Sequence, residues 1–265
     1  SCPMPANLSP EHKAAEAAFR KARDPHERLD CLREMLRTIP KHKGTDHLQA
    51  DIRHRIKELT EELEGPKKGG AARRGPALVL RPEGAAQIAL IGPPNTGKSA
   101  LHARLTGSHA QVAPYPFTTQ FPVPGMLAFE DVHFELVDLP AISPEHLVPW
   151  LAATLQTADG CLLVADLGDP SCVDRMRALH SALHEKRVTL TECWAGASAA
   201  EEDDPFALRL PTLMLANKAD LIDDAREQIE VFRELAGLRY PVLAVSAQTG
   251  RGLGEIGPWL FRNLG

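Results

Sequence analysis

The chain has 265 residues, 43% of them hydrophobic and 25% charged, ordinary globular usage that excludes global disorder and a coiled-coil rod. At roughly 100–200 residues per domain, the length allows one large domain or a medium domain with a small one. The formal charge of −5 excludes basic surface along the whole molecule, yet it is unevenly spread: residues 1–76 carry 16 Lys/Arg against 12 Asp/Glu, and residues 77–265 carry 14 against 23.

Residues 1–64 read as a helical segment of three helices. Ser9-Pro10-Glu11 places a capping hydroxyl before a proline at the first helical position, and Asp24-Pro25 repeats the signal. Leu29, Leu32, Leu36 and Ile39 then recur at helical spacing until Pro40. A third helix is expected after Thr45, with Leu48, Ile52, Ile56, Leu59 and Leu63 along one face. Core and inter-helix packing is the plain account of these stripes. For the basic turn Pro40-Lys41-His42-Lys43-Gly44, a solvated turn and a phosphate contact both stay open.

Residues 65–76 are rich in Gly, Pro and basic side chains, the composition of a linker. From 77 to 265, short apolar runs alternate with helical stretches: Ile88–Ile91, Val132–Val137, Cys161–Ala165, Leu213–Leu215 and Val242–Val245. That alternation predicts an α/β domain, a doubly wound and mostly parallel sheet with helices on both faces. The five cysteines, Cys2, Cys31, Cys161, Cys172 and Cys193, are far apart and form no CxxC pair, which fits a reducing compartment better than a disulfide framework. No apolar run approaches the ~18 residues of a membrane span, so a cytoplasmic protein with no membrane partner is expected.

Gly92-Pro93-Pro94-Asn95-Thr96-Gly97-Lys98-Ser99 fits G-x-x-x-x-G-K-[ST] and lies between a predicted strand and a predicted helix, where that motif works. The glycines let the backbone curl so that successive N–H groups and the helix N-terminus face a triphosphate. Lys98 is expected to reach the β- and γ-phosphates, and Ser99 to ligate Mg²⁺, with Ala100 beside them at the nucleotide. Asn217-Lys218-Ala219-Asp220, at the end of another predicted strand, points to guanine. The Asp220 carboxylate can accept from guanine N1–H and its 2-amino group, whereas adenine has an acceptor at N1 and no such amino group. Asn217 would brace the base, and the stem of Lys218 would cover one ring face.

In these motifs the sequence resembles the translation-factor-related P-loop GTPases, and within them the Obg–HflX group and its DRG (developmentally regulated GTP-binding protein) branch. The resemblance makes Phe117-Thr118-Thr119 the first switch, with Thr119 on Mg²⁺ when the γ-phosphate is present. It makes Asp138-Leu139-Pro140-Ala141 the Asp-x-x-Gly segment, with Asp138 meeting Mg²⁺ through water. Ser246-Ala247-Gln248 becomes the last guanine loop, the Ala247 N–H donating to guanine O6. Tyr115-Pro116-Phe117-Thr118-Thr119 and the leading helices carry the narrower likeness. Members of that branch continue into a TGS domain, and this chain stops where one would begin.

The resemblance implies GTP and GDP as ligands, Mg²⁺ as cofactor, and the ribosome or RNA as partner. Slow hydrolysis is expected, with Lys98, Thr119 and Asn95 as the residues that act in it. Asn95 resembles a P-loop asparagine that ligates K⁺ in related GTPases, which makes K⁺ a second candidate cofactor. Two departures stand out. Ala141 replaces a glycine, and its Cβ restricts the peptide flip of a switch; Ile142 stands where Ras-like relatives place a water-orienting glutamine. They keep open an alternative, a guanine-nucleotide-binding adaptor with negligible hydrolysis. His180 and His184, four apart, are read as an exposed helix face rather than metal ligands. Glu201-Glu202-Asp203-Asp204-Pro205 is read as a solvated acidic loop, and Asp166 and Asp169 as structural.

Overall fold

A computed structural model of the chain describes residues 8–64, 84–107, 121–194 and 204–264. Two compact units emerge, one of helices and one built on a sheet. In the first, α1 (Pro10–Lys21), α2 (Pro25–Thr38) and α3 (Asp46–Glu64) follow one another. The Ser9 hydroxyl accepts from the His12 N–H at 3.2 Å, and Asp24 Oδ2 accepts from the His26 and Glu27 N–H groups, both at 3.1 Å. Each cap stabilises its helix by about 1 kcal/mol.

Ala15, Phe19, Leu29, Leu32, Met35 and Ile52 form the buried interior of this unit. Two buried polar groups pin α1 to α2: His12 donates from Nδ1 to the Met35 carbonyl at 3.0 Å, and Arg28 donates to the Ala22 carbonyl at 3.0 Å. The Arg28 guanidinium also lies 4.2 Å from the centre of the Phe19 ring, and burial first, then Arg23 and Arg55, pulls its pKa down to about 10. Between α2 and α3, His42 Nδ1 accepts from the Gly44 N–H at 3.1 Å and caps a single 3-10 turn, Lys43–Thr45.

Among the described residues the second unit holds seven strands: β1 (Ala86–Ile91), β2 (Val123–Phe129), β3 (Val132–Asp138), β4 (Gly160–Asp166), β5 (Val188–Thr191), β6 (Leu208–Asn217) and β7 (Val242–Ala244). Their order is β2-β3-β1-β4-β6-β5, with β7 also on β6. Only β2 runs antiparallel to its neighbour. The helices are α4 (Lys98–Thr106), α5 (Leu151–Leu155), α6 (Cys172–Glu185), α7 (Ala225–Ala236) and α8 (Ile256–Leu264). This is the mostly parallel α/β sheet expected from the alternating sequence, with the P-loop GTPase architecture that the resemblance implies.

The buried strands are continuous apolar runs, Ile88–Ile91 in β1 and Leu162–Ala165 in β4, because helices cover both faces of a parallel sheet. Register brings the carboxyl ends together: Leu90 lies beside Asp138, Ile91 beside Leu163, and Asp166 beside Asn217. Ligands of open α/β sheets bind at that edge.

The sheet exceeds the five predicted strands. β2 and β5 carry no buried apolar run; β2 contains Pro124 and Gly125 and is only half-covered at the sheet margin, where proline is tolerated. β6 begins five residues before the predicted Leu213, in a stretch where Pro211 sits opposite Thr191 of β5.

Candidate functional site

Residues 92–97 turn out of β1 and into α4. A Cβ at position 92 would lie 2.8 Å from the Val164 carbonyl oxygen. Gly97 has φ +80°, and a Cβ there would lie 2.6 Å from Asn217 Nδ2. Both positions therefore need glycine. Asn95, at φ 63°, takes the left-handed conformation that asparagine tolerates best after glycine.

Lys98 opens α4 and is buried, 6% exposed. Its Nζ donates to Asp138 Oδ1, at the end of β3, and to the Leu139 carbonyl. Burial pulls the Lys98 pKa below the ordinary lysine value, opposed by the neighbouring Asp138 charge. The Ser99 hydroxyl donates to Asp138 Oδ2 at 2.8 Å. One carboxylate thus gathers the amine and the hydroxyl of the phosphate motif. Ser99 Oγ and the Asp138 oxygens are hard donors of the kind Mg²⁺ selects, so the side chains fit the ion that the motif calls for. Thr119, with Phe117 and Thr118, lies outside the described residues.

Ala141 follows in ordinary backbone geometry, since the positive-φ residues other than glycine among those described are Asn95, Glu130, Arg187 and Lys218. Ile142 is 2% exposed and donates its N–H to the Gly92 carbonyl at 3.0 Å. Its side chain is buried and apolar.

The guanine-side residues meet the phosphate loop through Asn217. Its Nδ2 donates to the Thr96 carbonyl at 2.8 Å, while its Oδ1 accepts from the Ala247 N–H at 3.1 Å. The Ala247 N–H that the resemblance assigns to guanine O6 therefore already has a partner inside the protein. Lys218, at φ 59°, donates to the Asn95 carbonyl and to Asp166 Oδ2, both at 2.9 Å. Asp220 sits in the 3-10 turn Ala219–Leu221, where its Oδ1 accepts from Ser246 Oγ at 2.7 Å. Ala247 and Gln248 offer their carbonyls to Arg104 Nη1 at 2.9 and 3.3 Å. Gly92, Pro93, Pro94, Asn95, Thr96, Gly97, Asp138, Ala141, Asn217, Lys218, Asp220, Ser246, Ala247 and Gln248 lie along the carboxyl edge or the loops leaving it, and Lys98, Ser99 and Ala100 form the first turn of α4.

Two arginines at this edge were not foreseeable. Arg104 lies on the phosphate-motif helix and reaches the last guanine loop. Arg175, on α6, donates to the Pro94 carbonyl at 3.0 Å. Neither belongs to a local motif, because each acts on a backbone carbonyl far away in sequence. Asp166, read as structural, carries the Lys218 ion pair.

His180 departs from the exposed-face reading. It is half-buried, donates from Nδ1 to the Met176 carbonyl at 2.6 Å, and accepts at Nε2 from the Tyr240 hydroxyl at 2.8 Å. That tautomer follows because a carbonyl can only accept. His184 is exposed. Among the described residues, no group of three or more His, Cys, Asp or Glu is placed to hold a metal ion, and no helix is long and apolar enough to cross a membrane.

The fold and this loop define a P-loop GTPase domain. Residues 87–193 match the family model described as 50S ribosome-binding GTPase. The chain is similar to developmentally regulated GTP-binding proteins: it is 38% identical over 109 residues to Developmentally-regulated G-protein 1 of Arabidopsis thaliana and to Developmentally-regulated GTP-binding protein 1 of Xenopus laevis. Each alignment takes in 41% of this chain, and 27% and 29% of those two proteins respectively. Among solved structures it is similar to a single-residue variant of Aquifex aeolicus Era bound to GDP·AlF4⁻, at 19% identity and TM-score 0.49, over 68% of this chain and 57% of that one.

Proposed function

We propose that the chain binds GTP and GDP with Mg²⁺ and hydrolyses GTP slowly to GDP and phosphate, as a cytoplasmic conformational switch. The observation that carries this reading is the Asn217 side chain. It joins the phosphate loop at Thr96 to the guanine loop at Ala247, so both halves of a guanine nucleotide site share one support.

In this reading Asp220 accepts from the guanine N1–H and 2-amino groups, and Ser246 keeps its Oδ1 oriented. The amides after Pro94 and the α4 N-terminus hold the phosphates. Lys98 exchanges Asp138 and Leu139 for phosphate oxygens, with Thr119 and Asn95 the other residues acting in hydrolysis. Ser99, Thr119 and, through water, Asp138 would hold Mg²⁺, which neutralises phosphate charge when bound. Asn95 would hold K⁺ beside the phosphates. The protein's own contribution to rate is positioning and electrostatics.

Slow hydrolysis is supported by Ile142, whose side chain has no polar atom with which to orient a water. The ribosome or RNA is the partner that the matching family's description suggests, with a role in translation or ribosome assembly. The leading helices, 1–64, and the linker, 65–76, would present the partner surface, and residues 77–265 would be the nucleotide domain. A second reading, an adaptor that binds guanine nucleotides with negligible hydrolysis, is favoured by the same Ile142 together with Ala141.

Binding of GDP against ADP by calorimetry, followed by single-turnover phosphate release in K⁺ and Na⁺ buffers with and without ribosomes, tests both. Preference for ADP removes the guanine assignment. Binding of GDP with no phosphate release in any buffer leaves the adaptor, and equal rates in K⁺ and Na⁺ remove the potassium site.

A further inference from the structure

Every carbonyl of the phosphate loop has a donor. Those of Gly92, Pro93 and Gly97 are met nearby, by the Ile142 N–H at 3.0 Å, the Thr96 hydroxyl at 3.3 Å and the Leu101 N–H at 3.0 Å. The three between them, Pro94, Asn95 and Thr96, accept from side chains on other elements: Arg175 Nη1 at 3.0 Å, Lys218 Nζ at 2.9 Å and Asn217 Nδ2 at 2.8 Å. In a trans peptide the N–H points away from the C=O. A donor that fixes one of these carbonyls fixes with it the direction of the N–H across the same peptide, that of Asn95, Thr96 or Gly97. Successive amides presented together are what an anion-binding concavity requires.

Asn217 and Lys218 belong to the guanine motif. Arg175 belongs to no motif, and it holds the first of the three carbonyls. We propose that Arg175, steadied by Asp169, is a positioning residue for the phosphate loop, aligning the Asn95 amide for a bound guanosine di- or triphosphate. The inference rests on the reading of this loop as a guanine nucleotide site.

Three observations support it. Pro93 and Pro94 have no N–H, so this half of the loop cannot brace itself with backbone donors. Arg175 Nε lies 3.3 Å from Asp169 Oδ2, and another nitrogen of the same rigid fork meets Pro94. Asp169 is itself fixed, its Oδ1 accepting from the Ser171 N–H at 2.9 Å. The connection from β4 to α6 thereby supplies two matched supports: Asp166 holds Lys218 on Asn95, and Asp169 holds Arg175 on Pro94.

The Arg175 side chain is 38% exposed, so its bond is worth less than a fully buried one. Removing it should accelerate release of mant-GDP from the full chain with Mg²⁺ about 3–10-fold, with association unchanged. Stopped-flow release from wild type, R175M, R175K and D169N is the measurement, alongside the melting temperature of each nucleotide-free protein. R175M should release fastest, R175K should fall between it and wild type, and D169N should show a smaller acceleration. The nucleotide-free melting temperature should not move. Release from R175M within twofold of wild type overturns the inference, as does a lowered R175M melting temperature without rescue by R175K. If wild type fails to bind mant-GDP, the guanine nucleotide reading itself falls; if wild type binds and R175M is unchanged, only the role of Arg175 falls.

Discussion

Ser246 donates its hydroxyl hydrogen to Asp220 Oδ1 across 2.7 Å. The bond orients a carboxylate whose other oxygen remains a strong acceptor, and the same Ser246 oxygen accepts from the Thr249 N–H at 3.0 Å. Asp220→Ala should lower GDP affinity roughly 10²-fold or more, because guanine N1–H and its amino group then lose a charged acceptor. Asp220→Asn should shift preference toward xanthosine diphosphate, whose 2-oxo group can accept from the new amide. Ser246→Ala should cost far less, about tenfold at most. Competition titrations against GDP rank the three, and an unaltered Asp220→Ala would contradict the assignment.

Lys98 is the buried cation of the site, held on Asp138 and the Leu139 carbonyl. Lys98→Met keeps the apolar stem and removes the charge. GDP affinity should fall roughly 10- to 100-fold through loss of charge-assisted bonds to phosphate, with much less effect on guanosine. A calorimetric comparison of the two ligands isolates the phosphate contribution.

Gly97→Ala forces a Cβ into the left-handed region, where it would lie 2.6 Å from Asn217 Nδ2. The conformational part alone costs about 1–2 kcal/mol, and the displaced Asn217 would loosen both loops that it joins. Urea unfolding should give a lower midpoint with an unchanged slope. Nucleotide affinity should fall together with stability, unlike the Asp220 variants.

His180 is neutral in its hydrogen-bonded tautomer, and burial lowers its pKa from 6.5 despite the Met176 carbonyl, which opposes the shift. Below pH 6.5 the unfolded chain therefore binds a proton that the folded one resists, and stability falls with pH through that range. His180→Gln, which does not titrate, should flatten this part of the curve. Melting temperatures of the two proteins between roughly pH 7.5 and 5 should converge at the acid end.

Ala141 holds ordinary backbone geometry where a glycine would be free to flip. Ala141→Gly should widen the difference in affinity between GDP and a non-hydrolysable GTP analogue, by about 3-fold or more if peptide rotation is restricted here. Equal ratios in the two proteins would assign the switch to another segment.

Much of the fold was legible because its signals are local. Ser9-Pro10 and Asp24-Pro25 start helices by capping chemistry, and Ile88–Ile91 is apolar enough to read as a buried strand. The phosphate loop announced itself for the same reason: a tight curl needs Gly92 and Gly97 at fixed places. The limits of that reading are equally physical. β2 escaped because a margin strand with Pro124 and Gly125 needs no apolar run. His180 gave no sign of its partner, since Tyr240 lies 60 residues away. The Asn217 Oδ1 bond to the Ala247 N–H depends on where two loops meet, and no spacing rule encodes it.

β6 is ten residues long and pairs with β4, β5 and β7. Its central amides, Leu213–Ala216, are sealed between neighbours and fully buried, so hydrogen exchange there should require opening of the whole sheet. Asn217 is the last residue of that strand. In the proposed site the base would therefore hang from the end of a fully buried strand, while Ala141 and Ile142 follow β3, on the other side of β1. An exchange map comparing β6 with the segment after β3 would show whether base and phosphates are held by elements of different stiffness.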